Sequence, residues 1–168
     1  MNTKVSILEP RIMDPDLPAA RRAAEEGGEP VFVPTQIYVD DRGWSIMNQM
    51  QGVLAPEGQV NYSSMYPGVV KAWHMHERQT DFWMCVHGDA RAGIHRAQDG
   101  QMWMIVLGEH RPGILIVPNG LWHGVGTIGA RDCGLLYYVT RAYDPQAPDE
   151  QRRPYDSVPG FVWEPSNR

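Results

Sequence analysis

The stretch VVKAWHMHERQTDFW, residues 69–83, holds two imidazoles two positions apart, a short polar break, and a carboxylate at the head of an aromatic run. A β-strand sends successive side chains to opposite faces, so alternation predicts one face carrying Val70, Ala72, His74 and His76. The next run, DFWMCVHG (81–88), puts Asp81, Trp83, Cys85 and His87 on one face, and QVNYSSM (59–65) does the same with Gln59, Asn61 and Ser63. An interior lined by amides, imidazoles and a carboxylate is too polar for a packed core, because each unpaired group there costs roughly 2–7 kcal/mol. It fits the solvated, ligand-holding mouth of a barrel. The histidines admit two chemistries: they hold a metal ion, or one of them takes a proton from a substrate.

Outward from this stretch, short β-rich runs recur from Val31 to Thr140. They are TQIYV, GWSIMN, QVNYSSM, VVKAWHMH, DFWMCVHG, ARAGIHR, QMWMIVL, ILIVP, LWHGVGT and LLYYVT, broken by turn sequences such as DDRG, APEG, YPG, AQDG, HRPG and PNG. Ten short strands at near-regular spacing predict an all-β sandwich or barrel. The one helical segment is DPDLPAARRAAEEGGEP (14–30), with Asp16 as N-cap, Pro18 in the first turn and Gly27-Gly28 as the stop. It is polar and short, which predicts a surface element in an N-terminal extension, residues 1–30, of a single domain spanning 1–168.

Bulk properties narrow the function. The formal net charge of −5 over 168 residues argues against nucleic-acid or membrane-surface binding, which call for a basic face. No apolar run approaches membrane-spanning length, and MNTKVSILEPR lacks a signal-peptide core, so a cytoplasmic protein is expected. Cys85 and Cys133 sit in apolar surroundings and read as buried free thiols. His87, His95 and His110 read as surface or strand-end residues, and the six tryptophans mostly as packing.

Several pieces carry a resemblance. Gly68, His74, His76, Asp81 and Gly88 are spaced like the first cupin motif, and Pro118, Gly120 and His123 like the second. In order along the chain, DDRGW, QVNYS, GVVKAWH, QTDFW, PNGLWHG, YYVTRAYDP and YDSVPGFVW resemble the dTDP-4-dehydrorhamnose 3,5-epimerase (RmlC-like) family of cupins. The resemblance implies a jelly-roll fold (a double-stranded β-helix) and a homodimer that works without a cofactor. It also implies an isomerase that epimerises a nucleotide-linked 4-keto-6-deoxyhexose. Carried over residue by residue, it implies His74 as catalytic base, Asp156 as the carboxylate partner of that base, and Tyr137 as catalytic tyrosine. Tyr143 matches the nucleotide position, Arg42 and Lys71 match nucleotide or diphosphate contacts, and Gln59, Asn61 and His123 match other pocket positions; His76, expected with Asp81 to face the substrate, stands where the family commonly has glutamine. Asp81 stands where the family usually has lysine, and Met47 stands where it usually has a carboxylate.

The chemistry is coherent. Proton transfer beside a ketone needs a base on one face of the ring and a donor for the enolate or the other face. Histidine titrates near neutrality, Asp156 would orient it, and Tyr137 would return a proton. Lys71, Asn61 or His123 would stabilise the enolate oxygen. Two alternatives remain open: a metal-dependent cupin enzyme that uses His74, His76, Asp81 and His123 as ligands, and a non-catalytic sugar-binding cupin.

Overall fold

The computed structural model describes residues 6–165. In chain order the elements are β1 (Ile7–Leu8), β2 (Arg11–Ile12), α1 (Leu17–Gly27), β3 (Val31–Pro34), β4 (Ile37–Asp40), β5 (Gly43–Ile46), β6 (Gln59–Met65) and β7 (Val70–His76). They continue with β8 (Asp81–His87), β9 (Asp89–His95), β10 (Met102–Gly108), β11 (Gly113–Val117), β12 (Trp122–Ile128), β13 (Cys133–Val139) and β14 (Glu150–Arg152). The ten runs read from the sequence coincide with β4 to β13.

Two six-stranded sheets make the jelly roll. One has the order β1-β10-β9-β12-β7-β14 and the other β2-β3-β11-β8-β13-β6, while β4 and β5 form a separate hairpin. At one end of the interior, Trp83, Cys85, Ile94, Ile105, Leu107, Leu115, Val117 and Leu135 pack between the sheets. The other end holds the polar residues, so the interior is half core and half cavity.

Helix α1 begins where Asp16 accepts a hydrogen bond from the Ala19 N–H at 3.0 Å. It ends at Gly28, whose φ of 60° lets its N–H reach the Ala24 carbonyl. The sequence reads it as a polar surface element. The structure corrects this: Leu17, Ala20 and Ala24 are buried against Val31, Val33, Ile114 and Ile116 on the outer face of the second sheet. Small residues give little hydropathy signal yet allow close approach of a helix to a sheet.

The outer face of the first sheet is covered by the segment after β14. Phe161 and Trp163 pack on Trp73, with ring centroids 5.0 Å from it in each case. Gly93 leaves room for this, since a Cβ there would run into the Phe161 ring. The indole N–H groups of Trp73 and Trp163 both donate to the Tyr155 carbonyl, at 2.9 and 3.1 Å. The Arg91 guanidinium donates to the carbonyls of Val162, Trp163 and Glu164.

Simple alternation fails at one place in β7. Its pairing with β12 shifts between His123 and Val125, so His74 lies opposite His123 but Lys71 lies opposite Val125. The irregularity turns Lys71 to the inside, where its ammonium meets Ser63, and Val70 to the outside against Trp163. Among the described residues no helix is long and apolar enough to cross a membrane.

Candidate functional site

A cavity of about 880 Å³ opens at the polar end of the barrel, of the size that takes a small organic ligand. Strand β7 gives it His74, His76 and Lys71 from the first sheet. The facing sheet gives Gln59 and Asn61 from β6, Asp81 from β8 and Tyr137 from β13, and Tyr143 stands at the rim, largely exposed. These eight residues, all expected from the sequence at the site, line this one cavity. His123 lies beneath them, its ring centroid 4.4 Å from that of His74.

Two expected site residues are elsewhere. Arg42 sits in the β4–β5 turn, exposed and paired with Asp40, and does not line the cavity. Asp156 is exposed in the turn after β14, off the cavity, and makes no hydrogen bond with His74. Its neighbour Tyr155 spends its carbonyl on two indoles, which fixes this turn on the outer face of the sheet. The carboxylate that does stand near His74 is Asp81, from the opposite sheet.

The centre of the cavity floor is the group His74, His76, Asp81 and His123, whose ligand atoms all lie within 4.8 Å of one another. Asp81 and His123 are only 3% and 2% exposed. Both oxygens of Asp81 are anchored: Gln79 Nε2 donates to Oδ1 at 2.9 Å and Trp83 Nε1 to Oδ2 at 3.2 Å. Trp83, read from the sequence as packing, also lies against the rings of His74 and His123. An indole N–H aimed along the strand at the residue two before it leaves no trace in a sequence pattern. Burial pushes the Asp81 carboxyl up, but the facing imidazoles of His123, His76 and His74 outweigh this and hold it below the ordinary carboxylate range.

His123 Nδ1 is 2.8 Å from the Leu121 carbonyl, which can only accept, so Nδ1 carries the hydrogen. In the neutral ring Nε2 therefore presents a lone pair, 3.5 Å from Asp81 Oδ2. That distance marks an electrostatic contact, and Nε2 makes no hydrogen bond; nor does the buried His76 Nδ1. Burial, with the neighbouring His123, drives the His74 pKa well below its usual value. His74 is thus neutral near pH 7, with a lone pair available. Tyr137 moves the other way: burial, then the negative potential of Asp81 and Glu150, raises its pKa and keeps the phenol protonated.

A lone pair facing a carboxylate, with further imidazoles around it, is a donor set for a divalent cation. The residues fit such an ion, with Leu121, Gln79 and Trp83 orienting the ligands as supporting groups do in metal sites.

The model of the polysaccharide biosynthesis C-terminal domain matches residues 38–151. The chain is 34% identical over 134 residues to the spore coat polysaccharide biosynthesis protein SpsL of Bacillus subtilis, covering 75% of this chain and 89% of that protein. It is 41% identical over 101 residues to the probable low-salt glycan biosynthesis epimerase Agl13 of Haloferax volcanii, covering 56% of this chain and 65% of the other. Among solved structures, the dTDP sugar isomerase of Desulfovibrio desulfuricans shares the fold, with a TM-score of 0.72 and 17% identity over 82% of this chain and 92% of that one. The chain therefore belongs to the polysaccharide biosynthesis C-terminal domain family, built on the RmlC-like jelly roll.

Proposed function

We propose that the chain is a carbohydrate epimerase, an isomerase that shifts protons beside the ketone of a nucleotide-linked 4-keto-6-deoxyhexose. The observation that carries this reading is the placement of a neutral imidazole and a protonated phenol on opposite walls of one cavity, His74 on β7 and Tyr137 on β13. Epimerisation removes a proton from one face of a ring and returns one to the other, and a sandwich that holds the sugar between its sheets offers both faces. The naming of Agl13 as an epimerase supports the same reaction class.

His74 accepts the proton. Asp81, anchored by Gln79 and Trp83, offsets part of the cost of charging a buried imidazole; it takes the supporting role that the sequence suggested for Asp156. Lys71 and Asn61 face the cavity and donate to the developing enolate oxygen. Tyr137 returns a proton to the far face. The domain works as one unit and pairs with a second copy. The exposed Tyr38, Val39 and Trp44 of the β4–β5 hairpin and Val60 and Tyr62 of the edge strand β6 supply an apolar contact surface.

A second reading is favoured by the orphaned His123 Nε2 beside Asp81. Here His74, His76, Asp81 and His123 hold a divalent cation, which when bound supplies a Lewis acid for an enolate oxygen. The lone pair of His74 is then used for ligation and the nitrogen is no longer free as a base.

One experiment separates these readings: solvent deuterium incorporation into a 4-keto sugar nucleotide, with and without a chelator. Incorporation that survives chelation and is abolished in His74→Asn supports the base. Incorporation lost on chelation and restored by one divalent ion, with His74→Ala and His76→Ala equally impaired, supports the cation. No incorporation under any condition, with the sugar nucleotide still bound, leaves a sugar-binding cupin.

A further inference from the structure

Strand β14 was not legible in the sequence, and it adds a charged edge to the site. It pairs antiparallel with β7 so that Arg152 lies opposite His74 and Glu150 opposite His76. Residues opposite each other on neighbouring strands point to the same face. His74 points inward, and Arg152 accordingly lines the cavity. Its charge interacts with His74 at the floor and with Tyr143 at the rim. Arg152 is therefore a cation that lies between the proposed chemistry and Tyr143, the residue matched to the nucleotide position.

The other cations that line the cavity have contacts away from their own strand neighbours: the Arg141 guanidinium donates to the Arg78 carbonyl and that of Arg153 stacks over the Trp122 ring. Arg78 is tied to the Asp149 carboxylate and the Ala147 carbonyl, and Lys71 is tied to Ser63. Arg42 is away on its hairpin. Arg152 has as its partner Glu150, two residues back on its own strand, with Nε 2.8 Å from Oε1, and its side chain is 79% exposed. Glu150 is half-buried, but the guanidinium end of this contact lies in solvent, where an ion pair contributes little to stability and exchanges readily for a stronger anion. A guanidinium presents a planar fork that matches phosphoryl oxygens two at a time.

We infer that Arg152 takes the diphosphate of the nucleotide-linked sugar, with the hexose over His74 and the base against Tyr143, and that Glu150 is the internal anion displaced when the diphosphate arrives. The inference rests on the proposed nucleotide-sugar function and adds the residue that reads the linker. It also assigns Glu150 a specificity role: its carboxylate holds Arg152 when no diphosphate is present and repels ligands whose charge is misplaced.

The test is titration calorimetry with dTDP, UDP and GDP, and with thymidine, uridine and guanosine, at low and moderate salt. The proteins are the wild type, Arg152→Gln and Glu150→Gln. Loss of a charge-assisted contact predicts that Arg152→Gln binds the preferred nucleoside diphosphate about 10- to 100-fold more weakly. Its affinity for the nucleoside should be unchanged and its salt dependence shallower. Glu150→Gln should shift the other way and bind the diphosphate more tightly. Wild-type affinity for the diphosphate in Arg152→Gln overturns the assignment, as does an equal loss for diphosphate and nucleoside. So does unchanged or weaker diphosphate binding in Glu150→Gln. A wild type that binds none of the three diphosphates overturns the nucleotide-sugar reading itself and this inference with it.

Discussion

The indole N–H of Trp83 donates to Asp81 Oδ2 at 3.2 Å, so an aromatic residue of the barrel core holds the one carboxylate of the donor cluster. Trp83→Phe keeps the ring and removes only the donor. A buried carboxylate that loses a hydrogen bond should cost about 1–3 kcal/mol in urea denaturation at pH 7. Because the Asp81 pKa is depressed in the folded state, its contribution to stability is present above the unfolded value of about 3.9 and is lost as pH falls through the folded value. Trp83→Phe should raise the folded value, so acid unfolding should begin at higher pH than in the wild type. If the cluster takes Co²⁺, Trp83→Phe should weaken that binding by about 10- to 100-fold. Unchanged stability and acid unfolding would reduce Trp83 to packing.

His74 carries a pH dependence of the same sign in a higher pH range. Its pKa is pushed down by burial, so it stays neutral in the fold at pH values where the unfolded chain, titrating near about 6.5, takes up a proton. The unfolded state then binds more protons, and stability falls as pH drops below about 6.5 toward the folded value. His74→Asn removes this term, so the stability difference between wild type and variant should change in the variant's favour on going from pH 7 to pH 5. Parallel pH–stability curves for the two proteins would contradict the burial-driven shift.

Asp156 and His74 are not joined in the structure. Asp156→Asn, an exposed change off the cavity, should alter stability by about 0.5 kcal/mol or less and leave deuterium incorporation within about twofold of wild type. A large loss of incorporation with unchanged folding would restore the partner role expected from the sequence.

Gly93 and Phe161 make a close approach in which only hydrogen fits. Gly93→Ala should displace the Phe161 ring and with it the covering of Trp73, at about 1–3 kcal/mol in equilibrium unfolding. Phe161→Ala in the same background should be far less than additive with it, because both changes act on one contact.

For the proposed pairing of two copies, light scattering at micromolar concentration should give twice the mass of one chain. Charged substitutions at Val39 and Tyr62, both exposed, should lower it to a single chain.

The fold was largely legible because β4 to β13 are short β-rich runs, some alternating and some wholly apolar, set between turns that mostly carry Gly or Pro. The four strands that escaped the reading show why others fail. β1 and β2 have two residues each, and β3, VFVP, is flanked by prolines that read as loop. β14, EQR, has no apolar residue, and its ladder to β7 supplies what the pattern lacks. In the site, cupin spacing located His74, His76, Asp81 and His123, because their positions are set by local strand and turn geometry. Asp156 was misplaced because its position depends on how the last turn packs, which a fixed spacing to Trp163 does not encode. Lys71 defied alternation because β7 carries one extra residue between Lys71 and His74 relative to β12, which turns it inward.

Strand β7 has an indole and imidazoles as immediate neighbours, with Trp73 turned to the covering segment and His74 and His76 to the cavity. A slip of one residue would exchange them, putting Trp73 and Met75 among polar partners and imidazoles beneath Phe161 and Trp163. The two hydrogen bonds between Trp73 and Arg153, 3.0 and 2.9 Å, hold the strand against such sliding from the outside. The covering segment thus acts as a register pin, and a one-residue insertion or deletion in β7 is an all-or-none event for the site.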